Sequence, residues 1–198
     1  MSRGAAVAAP FYARPTEEVA RGLLGRILVS DIGGRGRQTA GRIVEVEAYL
    51  GPHDPACHAY NHRRTARTEP LYGPPGTAYV YFTYGMHWCL NAVTETLDFP
   101  AAVLIRALEP VAGITAMARR RGVAADSTQL ASGPGNLTRA LGITVRDNGA
   151  DLTRGLFTVE PPDQPRDFRI SAGPRVGITR AIDRRLRFWI ADNPFVSR

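Results

Sequence analysis

Glu45, Glu47 and Tyr49 occupy every second position of the run GRIVEVEAYLGPHDPACH at 41–58, alternating with Val44, Val46 and Ala48. On an extended chain, period-two alternation puts both carboxylates and the ring on one side of a strand. An acid beside an aromatic ring, at a strand end among apolar neighbours, is where a general base could sit with a planar substrate stacked next to it. A half-exposed edge strand turning its charges to water has the same pattern, so these residues alone leave both readings open. His58 closes the run, in the turn that leaves the strand.

A second run, Thr77 to Val93, is dense in aromatic and β-branched residues and predicts two strands joined near Tyr84-Gly85. Tyr79, Tyr81 and Thr83 share one face there, and Val80 and Phe82 the other. Tyr84 at the tip could push between stacked bases as a wedge; rings of this kind also simply fill cores. A third apolar run, 101–108, is interrupted by Arg106, which needs a partner or an opening to solvent. Together these parts fit one chemistry. Tyr49, Tyr81 and His58 make walls for a planar heterocycle, and an electron-rich wall favours a positively charged ring. Glu47, held near Arg106, orients and activates a water, the arginine keeping the carboxylate ionised. The same charge would stabilise positive charge growing on a sugar as its base departs. A base inside a duplex must first be flipped out, at an unstacking cost of about 2–5 kcal/mol.

The composition sets bounds on this. With 198 residues, 44% apolar and 22% charged, the chain reads as one soluble domain spanning 1–198. Net charge is +7, and all 25 basic residues are arginine. Arginine suits phosphate, and summed positive charge attracts nucleic acid. The absence of lysine excludes lysine Schiff-base chemistry. Cys57 and Cys89 give no disulfide framework. His53, His58 and His62 have no persuasive zinc spacing, so no metal is expected. The small-residue run Gly4 to Ala9 is cut short by Pro10 and Arg14, too short for a membrane span; a cytoplasmic location is the expectation.

The elements that must position these groups follow from pattern. A helix is predicted over 15–24, with Pro15 in the first turn, Glu17 and Glu18 at the positive end, and Val19, Ala20, Leu23 and Leu24 buried. Ile27–Val29 reads as a strand, and the glycine-rich 33–37 as a hairpin loop rather than a phosphate cradle. Residues 51–76, with Pro52, Pro55, Pro70, Pro74 and Pro75, form a long irregular stretch carrying Arg63, Arg64 and Arg67. Loops of that length are uncommon without a function. Glu109-Pro110 is expected to begin a helix ending in Arg119–Arg121. The segment 132–141 reads as a glycine-rich turn entering a helix. The last third is polar, recovering order near 174–178 and closing with a strand at 187–190.

At this point the chain resembles the alkyladenine (3-methyladenine) DNA glycosylase family, also called methylpurine glycosylases. The pieces that carry the resemblance are GRIVEVEAYLGPHDPACH at 41–58, PGTAYVYFTYGMHWCLN at 75–91, VLIRALEP at 103–110, LASGPGNLTRALGI at 130–143 and PRVGI at 174–178. They run in the family's order over nearly the whole chain. The resemblance implies a compact mixed α/β (α+β) domain with a curved antiparallel sheet and a protruding β-hairpin. It implies a monofunctional hydrolase that flips damaged purines from double-stranded DNA and cuts their N-glycosidic bond with water, without cofactor or metal. It further implies a monomer. Residue by residue, Glu47 matches the general base. Arg106 and the main-chain carbonyl of Val176 match the groups that help it hold water. Tyr49 and Tyr81 match the rings that sandwich the flipped base, with His58 and the backbone of Ala56 at the base edge. Asn91 matches the residue that crowds the 2-amino group of normal guanine. Tyr84 matches the intercalating tyrosine, and Arg63, Arg64 and Arg67 lie on a basic loop that would meet phosphates.

Leu71-Tyr72 stands where the family commonly has methionine and phenylalanine, which bears on pocket depth and lesion range. No partner of the long N-terminal extension of animal members is expected. A DNA-damage binding module without chemistry would use the same rings and arginines, but gains little from an ionised carboxylate beside DNA. An RNA binder would show an RNP-type pattern, which this sequence lacks.

Overall fold

The computed structural model describes residues 4–34, 37–83 and 87–197. It is an α+β fold built on one curved antiparallel sheet. The strands are β1 (Ile27–Ser30), β2 (Thr39–Tyr49), β3 (Ala78–Thr83), β4 (His87–Thr94), β5 (Ala101–Ala112), β6 (Phe157–Glu160), β7 (Ile170–Gly173) and β8 (Arg187–Ile190). They are ordered β3-β4-β5-β2-β1-β6; β8 takes up the edge of β2 beyond β1, and β7 pairs with β8. Helices α1 (Ala9–Tyr12), α2 (Thr16–Leu23), α3 (Ile114–Arg121) and α4 (Pro134–Leu141) complete the domain. None is long and apolar enough to cross a membrane, among the described residues.

β2 is the axis of the molecule. It pairs with β5 on one side and with β1 and then β8 on the other. It is therefore a central strand, and the edge-strand reading of its acids is corrected: both Glu45 and Glu47 are fully buried. Val44, Val46 and Ala48 face the main core, with Leu23, Leu24, Ile105, Leu108 and Phe188. The opposite face meets a smaller cluster of Leu71, Tyr72, Tyr79, Val93 and Ala102, against which Tyr49 and Tyr81 pack. Two apolar cores on two faces explain why β2 lies inside, and Arg106 and Arg187 compensate the acids it carries there.

The long irregular stretch resolves into three short 3-10 turns at Gly51–His53, Tyr60–His62 and Glu69–Tyr72. The last of these drives Leu71 and Tyr72 into the smaller cluster. The 15–24 helix forms as Thr16–Leu23, burying Val19, Ala20 and Leu23. The 33–37 loop joins β1 to β2, whose pairing closes at Ser30 and Thr39; residues 35 and 36 lie outside the described residues.

One expected element is overturned. No helix begins at Glu109-Pro110; β5 runs on to Ala112, and α3 starts only at Ile114. Cross-strand pairing wins over local propensity here. Arg42 holds Glu109 at 2.7 Å, and Pro110 faces Gly41 at a register shift where a missing N–H is tolerated. Gly113 then breaks the strand with φ 68°. An added Cβ there would lie 2.3 Å from the Gln38 carbonyl oxygen. Gly113→Ala is expected to cost about 1–3 kcal/mol, read as a lower denaturation midpoint. β6 and β7 are four-residue strands in the polar last third that the sequence pattern does not mark.

Candidate active site

The bulged strand β2 and the apolar strand β5 bring three buried charges together. Arg106 reaches back from β5, with Nε 2.8 Å from Glu45 Oε1 and Nη1 3.3 Å from Glu47 Oε1. Its Nη2 donates to Ser197 Oγ at 3.2 Å. This answers the arginine in the apolar run: it is paired, and its side chain is 7% exposed. Glu45 is the more heavily bonded acid. It also accepts from Arg187 Nε at 2.7 Å and from the Ser197 N–H at 2.7 Å.

Glu47 holds three donors. The Val176 N–H lies 2.7 Å from Oε1, the Tyr49 hydroxyl donates to Oε2 at 2.9 Å, and Arg106 lies alongside Oε1. An ionised carboxylate has about four acceptor positions, so one is left for a further O–H donor. Val176 joins the group through its amide N–H, which holds Glu47; the carbonyl that the resemblance assigns to the attacking water is a separate group of the same residue. Arg106 acts on the ionisation of Glu47 in the expected direction, but it does not act alone. Burial pushes the Glu47 carboxyl above the usual carboxylate range, against the pull of Arg106, the Val176 amide and Tyr49. Glu45 goes the other way: Arg106 and Ser197 outweigh its burial and hold it low.

Tyr49, Arg106 and Val176 all line a cavity of about 840 Å³. Glu47 itself lies one layer behind that wall and is fully buried. Tyr81, His58, Ala56 and Asn91 line the same cavity, so every expected base-contacting residue is brought to one place. A cavity of this size, with aromatic rings and polar groups mixed in its lining, suits a small planar ligand. His58 Nδ1 lies 3.0 Å from the Tyr79 hydroxyl, and its ring meets Tyr81 edge-on at 4.6 Å. Burial, with Arg67 and Arg63 nearby, lowers the His58 pKa to about 4, so the imidazole is neutral at pH 7. Asn91 Nδ2 donates to the Tyr79 carbonyl at 3.0 Å, which fixes the amide's orientation.

Arg63 and Arg67 stand at the cavity, and Arg67 lies over the Tyr81 ring at 5.3 Å. Arg64 does not line it. It is held by Glu69 and Asp98 and lies over Tyr72, which weighs against a phosphate contact. Tyr84 lies outside the described residues. His53 and His62 face each other at 6.2 Å while His58 turns to the tyrosines. Among the described residues no group of three or more His, Cys, Asp or Glu could hold a metal. Both cysteines are free and buried.

Two features lay beyond the sequence reading of the site. One is Tyr79, whose ring lies 5.2 Å from that of Tyr81 and whose hydroxyl anchors His58. Arg175 and Asp54 form a buried ion pair beneath the cavity wall. No local signal links residues so far apart in sequence.

Chemically, the arrangement is a cavity walled by aromatic rings, with a buried carboxylate directly behind its wall and arginines among its lining. A family model for methylpurine-DNA glycosylase matches residues 10–194. The chain is 48% identical over 198 residues to a putative 3-methyladenine DNA glycosylase of Alkaliphilus oremlandii, covering 95% of this chain and 96% of that protein. It is 49% identical over 193 residues to one from Methanoculleus marisnigri, covering 96% and 97%. A third, from Bacillus cereus, is 46% identical over 200 residues, covering 95% and 97%. The chain belongs to the methylpurine-DNA glycosylase family, hydrolases that release alkylated purines from DNA.

Proposed function

We propose that this protein is a monofunctional glycosylase that flips damaged purines out of duplex DNA and hydrolyses their N-glycosidic bond, starting base excision repair. Its substrates in this reading are 3-methyladenine, 7-methylguanine, hypoxanthine and ethenoadenine. It works as a single-domain monomer on DNA in the cytoplasm. The observation that carries the proposal is Glu47 bonded to Tyr49, Val176 and Arg106, all three of which line one cavity with Tyr81 and His58.

The flipped base stacks between Tyr49 and Tyr81, with neutral His58, Ala56 and Asn91 along its edges. Water drawn to the floor beside Arg106 and Val176 meets the one acceptor position that Glu47 has left. Glu47 takes its proton as the oxygen attacks the anomeric carbon, and its charge stabilises the sugar cation that forms as the base leaves. Arg63, Arg67 and Tyr84 hold the opened duplex, the arginines on phosphate and the tyrosine as a wedge between bases.

The test is release of free base from a panel of duplexes, each carrying one of the four lesions, with undamaged duplex as control. Release of 3-methyladenine and at least one other lesion, leaving an abasic site, supports the proposal. Tight binding to every lesion with no base released would make the protein a damage-binding module instead.

A further inference from the structure

The Arg175 side chain is fully buried and makes no part of the cavity wall, yet it holds the end of β2 that carries Tyr49 and, through Asp54, the turn that carries Ala56. Its guanidinium forks onto Asp54, with Nη2 2.8 Å from Oδ1 and Nη1 on Oδ2. Nη1 also donates to the Ala48 carbonyl at 2.9 Å. Asp54 in turn accepts the N–H groups of Leu50 at 3.1 Å and Ala56 at 3.2 Å, fixing the turn that carries Ala56. The residue after Arg175 is Val176, whose amide holds Glu47. Finally, the guanidinium lies over the Tyr49 ring, 4.7 Å from its centroid. Since Tyr49 lines the cavity and Arg175 does not, the cation sits behind the ring.

We propose that Arg175, with Asp54, is a positioning and specificity-determining pair: its positive end behind Tyr49 offsets the preference of the aromatic wall for cationic bases, so that neutral purines compete. The proposal rests on the glycosylase function above. An aromatic face attracts a cation, and a second cation across the ring opposes that attraction in a poorly solvated site. Asp54 cancels part of the field, so the effect is graded by the carboxylate. Arg67 over Tyr81 is a different case: it is exposed and can yield its place, whereas Arg175 is clamped by Asp54 and Ala48.

The experiment measures equilibrium affinity in a Glu47→Gln background for duplexes containing 7-methylguanine, a cationic base, or hypoxanthine, a neutral one. Adding Asp54→Asn leaves the cation behind Tyr49 uncompensated, and is expected to weaken the 7-methylguanine duplex relative to the hypoxanthine duplex about three- to tenfold. Adding Arg175→Gln to that variant removes the cation and should carry the ratio back to or past its starting value. Arg175→Lys keeps the charge and should hold the ratio even if overall affinity falls. If Asp54→Asn does not fold, the neutral pair Arg175→Gln/Asp54→Asn stands in, with a shift toward the cationic lesion expected. Loss of affinity by the same factor for both lesions, or shifts of the same sign in the single and double variants, would overturn the proposal and mark a merely structural pair. If the background protein binds neither lesion better than undamaged duplex, the glycosylase function fails first, and that control separates the two failures.

Discussion

Glu47→Gln is expected to cut base release by about 10²–10⁴-fold while leaving affinity for lesion duplex near its starting value. The side chain keeps its shape. Its oxygen can go on accepting from the Val176 N–H beside Arg106, and its amide can donate to the Tyr49 hydroxyl, reversing one bond. The aromatic slot is untouched, so binding survives; the ability to take a proton and the negative charge that would meet the sugar cation are both gone. The same substitution has a signature in stability. Burial raises the folded pKa of Glu47 above its unfolded value. Stability from a group shifted in that direction is fully present below the unfolded pKa and is lost as pH rises through the folded one. The amide suffers no such loss. The variant should therefore gain on the unaltered protein between acid and neutral pH, read as a difference in melting temperature that grows from pH 5 to pH 8. The unaltered enzyme should lose activity below an acid limb lying above the ordinary carboxylate range. His58 does not set that limb, because it is neutral above about pH 4; a His58→Gln variant should leave the limb in place. Undiminished base release by the Glu47→Gln protein would remove Glu47 from the chemistry.

How far the sequence foretold this site depends on the range of each interaction. Alternation within β2 put Glu45, Glu47 and Tyr49 on one face, and alternation within β3 did the same for Tyr79 and Tyr81. Such patterns are local and survive into the fold. An arginine inside an apolar strand announced a missing partner, and β5 delivered it to β2 one strand away. The contacts that were not legible are those between distant residues. The Val176 amide reaches Glu47 across 129 positions, and Arg175 reaches Asp54 across 121. Backbone donors carry no side-chain signature at all. The raised pKa of Glu47 was hidden for a related reason: a pairing arginine can be inferred from sequence, but complete burial of the carboxylate cannot. The strand at Glu109-Pro110 was hidden because the residues locally favour a helix start, while the pairing with Arg42 and Gly41 decides the outcome.

Replacing Arg106 with methionine, similar in length and uncharged, should be the most destabilising change in the site, costing about 3–5 kcal/mol near neutral pH. The loss falls unevenly on its two partners. Glu45 keeps Arg187 and both donors of Ser197, so its charge stays compensated. Glu47 keeps only the Val176 amide and the Tyr49 hydroxyl, and is left fully buried with no cation in contact. Its folded pKa, already raised, must rise further. Two results follow from that sign. The stability deficit of Arg106→Met should be smallest at acid pH, where Glu47 is protonated, and widen as pH rises, which denaturation at pH 5 and pH 8 would measure. Base release should collapse at neutral pH because the base is now neutral, and recover in part at higher pH where the proton is lost. A merely unfolded site would show no such recovery. Combining Arg106→Met with Glu47→Gln removes the stranded charge, so the double variant should be more stable at pH 8 than Arg106→Met alone. If Glu47→Gln brings no larger gain at pH 8 in the Arg106→Met protein than in the unaltered one, the two changes are additive, the deficit comes from lost packing of the arginine, and Glu47 does not depend on Arg106 for its charge.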